Sequence, residues 1–173
     1  GFLAAQNPAG AYAAVGDSGA VLLSLGLGTT CTGSGPYAGP LAPTPGVFQN
    51  PNSTQILVWI SAAGDSIYRT HYIGNGQLNR RISPTALQVD DCGTAYFSGW
   101  FGTLNGGLMT NLYTTPNALQ PTTDGKDFYF LALDRRGQPS YATYFGGTGP
   151  VDEHVDGGTS RFDPNGVIHQ AIC

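Results

Sequence analysis

Short apolar runs separated by glycine-containing polar turns recur along most of the chain. In the middle of the sequence, residues 56–60 are continuously apolar, as in a strand that is buried on both faces. Residues 67–73 combine β-branched and aromatic side chains, which is typical of a second strand. The pattern predicts a third strand over 85–89 and a fourth over 94–100, joined by the tight turn Asp90-Asp91-Cys92-Gly93.

The same order of elements follows downstream. Residues 128–133 predict a first strand and residues 141–145 a second, with the turn Asp134-Arg135-Arg136-Gly137 between them. Asp163-Pro164-Asn165-Gly166 is a strong turn signal, because proline presets φ and Asn-Gly tolerates the left-handed region. A final strand is predicted over 167–172.

Two sequence elements recur at a nearly constant spacing, so the chain contains an internal repeat. Thr44-Pro45-Gly46-Val47-Phe48-Gln49 returns further along the chain as Thr115-Pro116-Asn117-Ala118-Leu119-Gln120. The segment 89–96 is echoed downstream by 162–169 and upstream by 15–22. A repeat of about 72 residues indicates that each unit buries its apolar face against its neighbours.

The repeat divides the chain into three parts. Residues 1–43 match the tail of a preceding repeat, 44–114 form a complete repeat, and 115–173 form a truncated one. Because the chain starts and ends inside repeats, we expect it to be a window of a longer protein.

The strand pattern predicts an all-β fold of β-propeller-like blades. Each blade would hold four antiparallel strands, with long glycine-rich loops at 99–113 and 148–158. A propeller closes with about four to eight blades. We therefore expect an incomplete propeller, which is completed by further chain or by other subunits, or which stays open.

The second unit resembles a known bacterial repeat. Residues 128–134, Gly137 and Tyr141-Ala142-Thr143-Tyr144-Phe145-Gly146-Gly147 are similar to the SBBP-type β-propeller repeat, as are the 163–166 turn and the 115–121 segment. The resemblance implies a large secreted surface protein of the Bacteroidota, of the kind that often carries PKD domains and gliding-motility or type IX sorting tails. It implies no catalytic residues.

Composition narrows the classes of partner. Lys126 is the only lysine, and the net charge is −4, so the clustered basic face of a nucleic-acid-binding protein is not expected. No apolar stretch approaches the roughly 20 residues of a membrane-spanning helix. Few charges and abundant glycine indicate a secreted or cell-surface location. Cys31, Cys92 and Cys173 have no CxxC spacing, so no zinc site is signalled.

Asp152, Glu153 and Asp156 cluster beside Gly157-Gly158 in one loop. Oxygen-rich loops of this kind hold Ca²⁺, which takes six to eight oxygen ligands. The spacing is neither that of an EF-hand nor that of an RTX repeat. Calcium is therefore a candidate cofactor, and local turn capping by solvated carboxylates is the alternative.

Two further clusters bear on chemistry. His154, Asp156 and Ser160 suggest a nucleophilic triad, but no G-x-S-x-G motif surrounds the serine, so we expect no enzyme activity. Trp100-Phe101 stands at the mouth of a glycine-rich loop and is the best candidate for stacking against a sugar. The alternative is that these rings fill the space between blades.

The sequence therefore predicts a non-enzymatic secreted or cell-surface structural or adhesion protein. It would act through its repeat surfaces, by self-assembly or by binding other surface proteins, because free strand edges readily pair with another chain. A carbohydrate-binding module with glycan partners is one alternative. The non-catalytic part of a larger secreted hydrolase is another.

Overall fold

A computed structural model describes residues 11–15, 21–26, 41–50, 53, 55–61, 63–77, 80, 82–154 and 160–171, with the backbone alone for the first two ranges. The fold is all-β, as predicted. The strands are β1 (Ala11–Val15), β2 (Val21–Gly26), β3 (Gln55–Ile60), β4 (Ile67–Tyr72), β5 (Ser83–Val89), β6 (Ala95–Trp100), β7 (Phe128–Leu133), β8 (Pro139–Phe145), β9 (Ser160–Phe162) and β10 (Ile168–Gln170). A 3-10 turn at Thr103–Asn105 follows β6.

Strand pairing differs from the predicted grouping. The first sheet has the order β1-β2-β3-β4, the second has the order β5-β6-β7-β8, and β9 pairs with β10. The four strands predicted within residues 44–114 thus do not form one sheet, because β3 and β4 join β2 while β5 and β6 join β7. A sequence period does not define where a unit begins, so cutting the repeat at Thr44 split each sheet in half.

The structure repeats with the sequence. The hairpins β1-β2, β5-β6 and β9-β10 share one register, in which the closing pairs are Val15 with Val21, Val89 with Ala95, and Phe162 with Ile168. In both four-stranded sheets a bulge interrupts the second hairpin at the same place, after Trp59 and after Ala132. The repeated segments therefore fold in the same way.

Tight Asp-x-x-Gly turns close three hairpins, as predicted. The glycine takes a positive φ each time, for example 81° at Gly93 and 79° at Gly137. The turn aspartate fixes the loop, because Asp90 Oδ1 accepts hydrogen bonds from the Cys92 and Thr94 N–H groups at 2.9 and 2.8 Å. The sequence signal therefore reflects both a glycine-specific conformation and a capping carboxylate.

The Thr-Pro element lies along the outer edge of the first sheet. The Thr44 N–H donates to the Thr70 carbonyl at 3.1 Å, and the Thr70 N–H donates to Thr44 Oγ1 at 2.9 Å. The Gln49 side chain accepts from the Tyr72 N–H at 2.8 Å and donates to the Thr70 carbonyl at 2.8 Å. We call residues 44–49 the first strap.

Residues 115–120, the second strap, repeat this arrangement along β8. The Thr115 N–H donates to the Ala142 carbonyl at 3.0 Å, and the Tyr144 N–H donates to the Gln120 carbonyl at 3.1 Å. A bare edge strand presents unpaired backbone groups that attract other chains. The straps cover the outer edges of β4 and β8, so these two edges are not the free edges that we expected for self-assembly.

The core lies between the first and second sheets. Leu57, Trp59 and Ile73 of the first sheet belong to one buried cluster with the second-sheet residues Ala95, Phe97, Tyr129, Leu131, Leu133, Ala142 and Tyr144. Because side chains alternate along a strand, these second-sheet residues form one face and leave the other face to pack elsewhere.

The strand β5 contacts both β1 and β9. It carries Pro84, which suits an edge strand because proline has no N–H for a ladder bond. Among the described residues, the structure has no helix with the length and apolar character needed to cross a membrane.

Candidate functional site

Trp100 ends β6 and is only 8% exposed. Its indole packs with Phe128 and Phe130, and its ring centroid lies 5.5 Å from that of His154. Phe128, Phe130 and His154 therefore lie around the indole, in space that a stacked sugar would need. The position of Trp100 agrees with the alternative interpretation, in which the ring packs between structural elements.

Phe101 is 0% exposed and lies in the main core. It meets the ring of Tyr144 edge-on, with the centroids 5.9 Å apart. The Phe101 N–H donates to the Asp127 carbonyl at 3.1 Å, which ties the residue to the start of β7. Phe101 therefore has no exposed ring face in the structure, and its stacking role stays a prediction.

Asp152 lies in the 146–154 loop, and its side chain contacts the turn that follows β6. Its carboxylate accepts from the Thr103 N–H at 3.0 Å, the Thr103 hydroxyl at 2.7 Å and the Leu104 N–H at 2.9 Å. Burial opposes its ionisation, but hydrogen bonds from Leu104 and Thr103 hold its pKa below the usual value. A side chain at Gly102 would overlap this carboxylate, which explains the glycine there. We call this contact the Asp152 clasp.

Glu153 and Asp127 form a second carboxylate contact beneath the same loop. Their Oε2 and Oδ1 atoms are buried without a hydrogen-bond partner, and a side chain at Gly146 would overlap both. Burial, followed by the charges of Asp124 and Glu153, raises the pKa of Asp127 to about 6. Asp127 was not anticipated from the sequence, because nothing in its neighbours signals a buried acid.

Asp152, Glu153 and Trp100 all make contacts within or beside the 146–154 loop, where the indole packs against His154 and the Asp152 carboxylate caps a turn. Both oxygens of Asp152 are occupied by the turn, while Glu153 accepts a hydrogen bond from the Gly147 N–H. Asp156 lies outside the described residues. Within the described part of the chain, no three His, Cys, Asp or Glu side chains form a group that could hold a metal ion. Calcium binding stays a prediction.

Ser160 and His154 of the suggested triad take part in other contacts. Ser160 is 0% exposed, and its hydroxyl donates to Gln170 Oε1 at 2.6 Å. His154 Nδ1 donates to the Asp152 carbonyl at 3.2 Å. These bonds hold β9 to β10 and the loop to itself. Cys92 is exposed and free, whereas Cys31 and Cys173 lie outside the described residues.

An aromatic groove of about 410 Å³ lies between the second sheet and the β9-β10 hairpin. Six of its thirteen lining residues are aromatic, namely Tyr96, Phe97, Phe130, Tyr141, Phe145 and Phe162. The Tyr96 and Phe162 rings are in contact, with their centroids 5.6 Å apart, and join the sheet to the hairpin at the groove. The sequence did carry a signal for it, because β7 is apolar on both faces and the main buried cluster includes only Tyr129, Leu131 and Leu133 from it.

Neither a protein family nor a curated protein matches the chain. The similarity to SBBP-type repeats therefore stays a prediction. The internal repeat and its packing are the observations on which a function can be argued.

Proposed function

We propose that this chain is a non-enzymatic structural module of a secreted or cell-surface protein, built from propeller-like blades and acting in adhesion or assembly through its repeat surfaces. The observation that carries this proposal is the register-matched repetition of hairpin, strap and sheet. Repetition of a whole folding unit is the feature that stacked repeat proteins share.

The neighbours of β5 support a propeller-like arrangement. β1, β5 and β9 are the first strands of successive sheets, and β5 contacts both of the others. Inner strands of consecutive blades lie beside one another in this way around a propeller axis. The first two sheets would be complete blades, and β9-β10 would be half of a third.

A structural role is supported by what the polar loop residues do. Asp152 caps a turn, Ser160 joins two strands, and Asp90 fixes a hairpin. Low charge and abundant glycine support a secreted or surface location. Since straps cover the edges of β4 and β8, assembly would proceed through sheet faces and through the β10 edge.

Cell fractionation with protease shaving tests the location. We expect the protein in the envelope or medium of its source cells, and we expect external protease to remove the envelope fraction from intact cells. A cytoplasmic marker protein that survives shaving is the control. Recovery of the protein with that marker would overturn the proposal.

An activity screen tests the non-enzymatic part. The purified chain would be assayed on ester, glycoside and peptide substrates beside the variants Ser160→Ala and His154→Ala. We expect no turnover that these variants abolish. Turnover lost in either variant, with the fold retained, would favour the hydrolase alternative.

A further inference from the structure

We propose that the aromatic groove is the seat of a further β-hairpin of the β7-β8 type, which pairs with β10 and completes the third sheet. The inference rests on the proposed function, since it names the partner through which the repeat surfaces assemble. Its occupant is a hairpin with an alternating aromatic and aliphatic face and an Asp-x-x-Gly turn.

The first sheet shows what the groove face of the second sheet would look like when covered. Leu57 pairs with His71 in the first sheet as Phe130 pairs with Thr143 in the second. The next position on this face is Ile73 in the first sheet, which is 1% exposed, but Phe145 in the second, which is 38% exposed. Equivalent positions are therefore packed in one sheet and open in the other.

The β7-β8 hairpin provides that cover in the first sheet. Its residues Tyr129, Leu131 and Tyr144 share the buried cluster with Leu57. On the second sheet, the β9-β10 hairpin packs against Tyr96 through Phe162 and Gly166, and the groove lies between that hairpin and the rest of the face. The uncovered part is the place that a second β7-β8 hairpin would occupy.

The straps show the same contrast. Where the first strap meets the next hairpin, the Phe48 N–H donates to the Gly137 carbonyl at 2.9 Å. Leu119 holds the equivalent place in the second strap, where it is 73% exposed and its N–H donates to the Tyr141 hydroxyl at 3.2 Å within its own sheet. The second strap thus presents the surface on which a further hairpin turn would rest.

The β10 edge supplies the backbone partner. By register β10 corresponds to β6, which pairs with β5 on one side and with β7 on the other. Among the described residues, β10 pairs with β9 alone. A hairpin that pairs with β10 as β7 pairs with β6 would place its apolar face over Phe130, Tyr141 and Phe145.

The test extends the chain beyond Cys173 with a second copy of residues 115–147, which supplies strap and hairpin at high effective concentration. We expect hydrogen exchange at residues 168–170 to slow at least tenfold. The matched control carries Leu131→Asp and Tyr144→Asp in the added copy only, and we expect no protection from it. Phe145→Asp in the groove should also abolish protection, whereas Val151→Asp at an exposed site that does not line the groove should not.

A synthetic peptide of residues 115–147, added to the unextended chain, gives a second measurement if the extended chain misfolds. Unchanged exchange in both experiments overturns the proposal, as does equal protection by the control extension. Self-association of the unextended chain that Phe145→Asp abolishes also overturns it, because the occupant is then a second copy. If the protein is found at the cell surface but residues 168–170 gain no protection, this inference fails and the proposed function stands.

Discussion

His71 Nδ1 lies 2.9 Å from the carbonyl oxygen of Phe48, where the first strap crosses β4. Because a carbonyl oxygen only accepts, Nδ1 carries the proton. The imidazole is fully buried, and its centroid lies 4.8 Å from the Trp59 ring. Burial, with a smaller contribution from the charge of Arg69, lowers the pKa of His71 to about 4. The side chain is therefore neutral at pH 7.

This depressed pKa predicts a loss of stability in acid. The unfolded chain binds a proton at the usual pKa of 6.5, so the contribution of His71 is present above pH 6.5 and is lost as the pH falls through 4. We expect His71→Phe to remove a pH-dependent change on the order of 3 kcal/mol in the free energy of unfolding. Urea denaturation between pH 7.5 and 4 measures it, with His169→Phe at an exposed site as control. Equal slopes for wild type and His71→Phe would contradict the assignment.

Asp127 has the opposite effect on stability over the same pH range, because it destabilises the fold as the pH rises. Its pKa is raised to about 6, so its contribution to stability is present below pH 3.8 and is lost as the pH rises through 6. We expect Asp127→Asn to stabilise the protein by about 2 kcal/mol at pH 7.5 and to have little effect at pH 4. The same denaturation series tests this, with Asp91→Asn as the exposed control. A destabilised Asp127→Asn protein at pH 7.5 would count against a buried, raised-pKa acid.

The Asp152 clasp predicts a local and a global effect. Asp152→Ala removes three hydrogen bonds to a nearly buried carboxylate, so we expect a loss on the order of 2 kcal/mol. Hydrogen exchange should speed up most at the Thr103 and Leu104 amides. Asp91→Ala, at an exposed position, is the control for removing a carboxylate. Exchange at Thr103 that does not change would show that the clasp is absent in solution.

Replacing the buried indole of Trp100 distinguishes a packing role from a sugar-binding role. We expect Trp100→Ala to cost about 3–5 kcal/mol, because it leaves a cavity beside Phe128. Thermal and urea unfolding measure this loss. A variant that keeps wild-type stability but loses binding on a glycan array would instead favour the carbohydrate-binding alternative.

The first strap predicts protection of the sheet edge. Gln49→Ala removes bonds to both Thr70 and Tyr72, so we expect a loss of about 1–3 kcal/mol and faster aggregation of the folded protein. Light scattering at constant temperature follows the aggregation. Asn117→Ala, an amide removed from an exposed position of the second strap, is the matched control. Equal aggregation of the two variants would argue against edge protection by Gln49.

Much of the fold could be predicted, because the strands leave local signals. Residues 56–60 and 128–133 are apolar runs and fold as β3 and β7, and the glycine at position 93 takes the positive φ that its turn requires. The pairing of hairpins could not be predicted, since it depends on contacts between repeats. Ser160–Phe162 was missed as a strand, although it lies one repeat length after 87–89.

The site was harder to predict than the fold. Trp100 and Phe101 were expected at an open loop mouth, but the 146–154 loop folds back over β6 and the core closes on Phe101. Asp152 lies far along the chain from the turn it caps, and from the sequence both calcium binding and turn capping were open for it. Asp127 precedes β7 without any motif, so only the folded chain shows that it is buried against Glu153.

Each strap is also the stretch of chain that leads into the second hairpin of its sheet. A gene duplication or deletion of one repeat length therefore moves a hairpin pair together with its own edge cover. The array can grow or shrink in whole units during evolution without exposing a new hydrogen-bonding edge at β4 or β8.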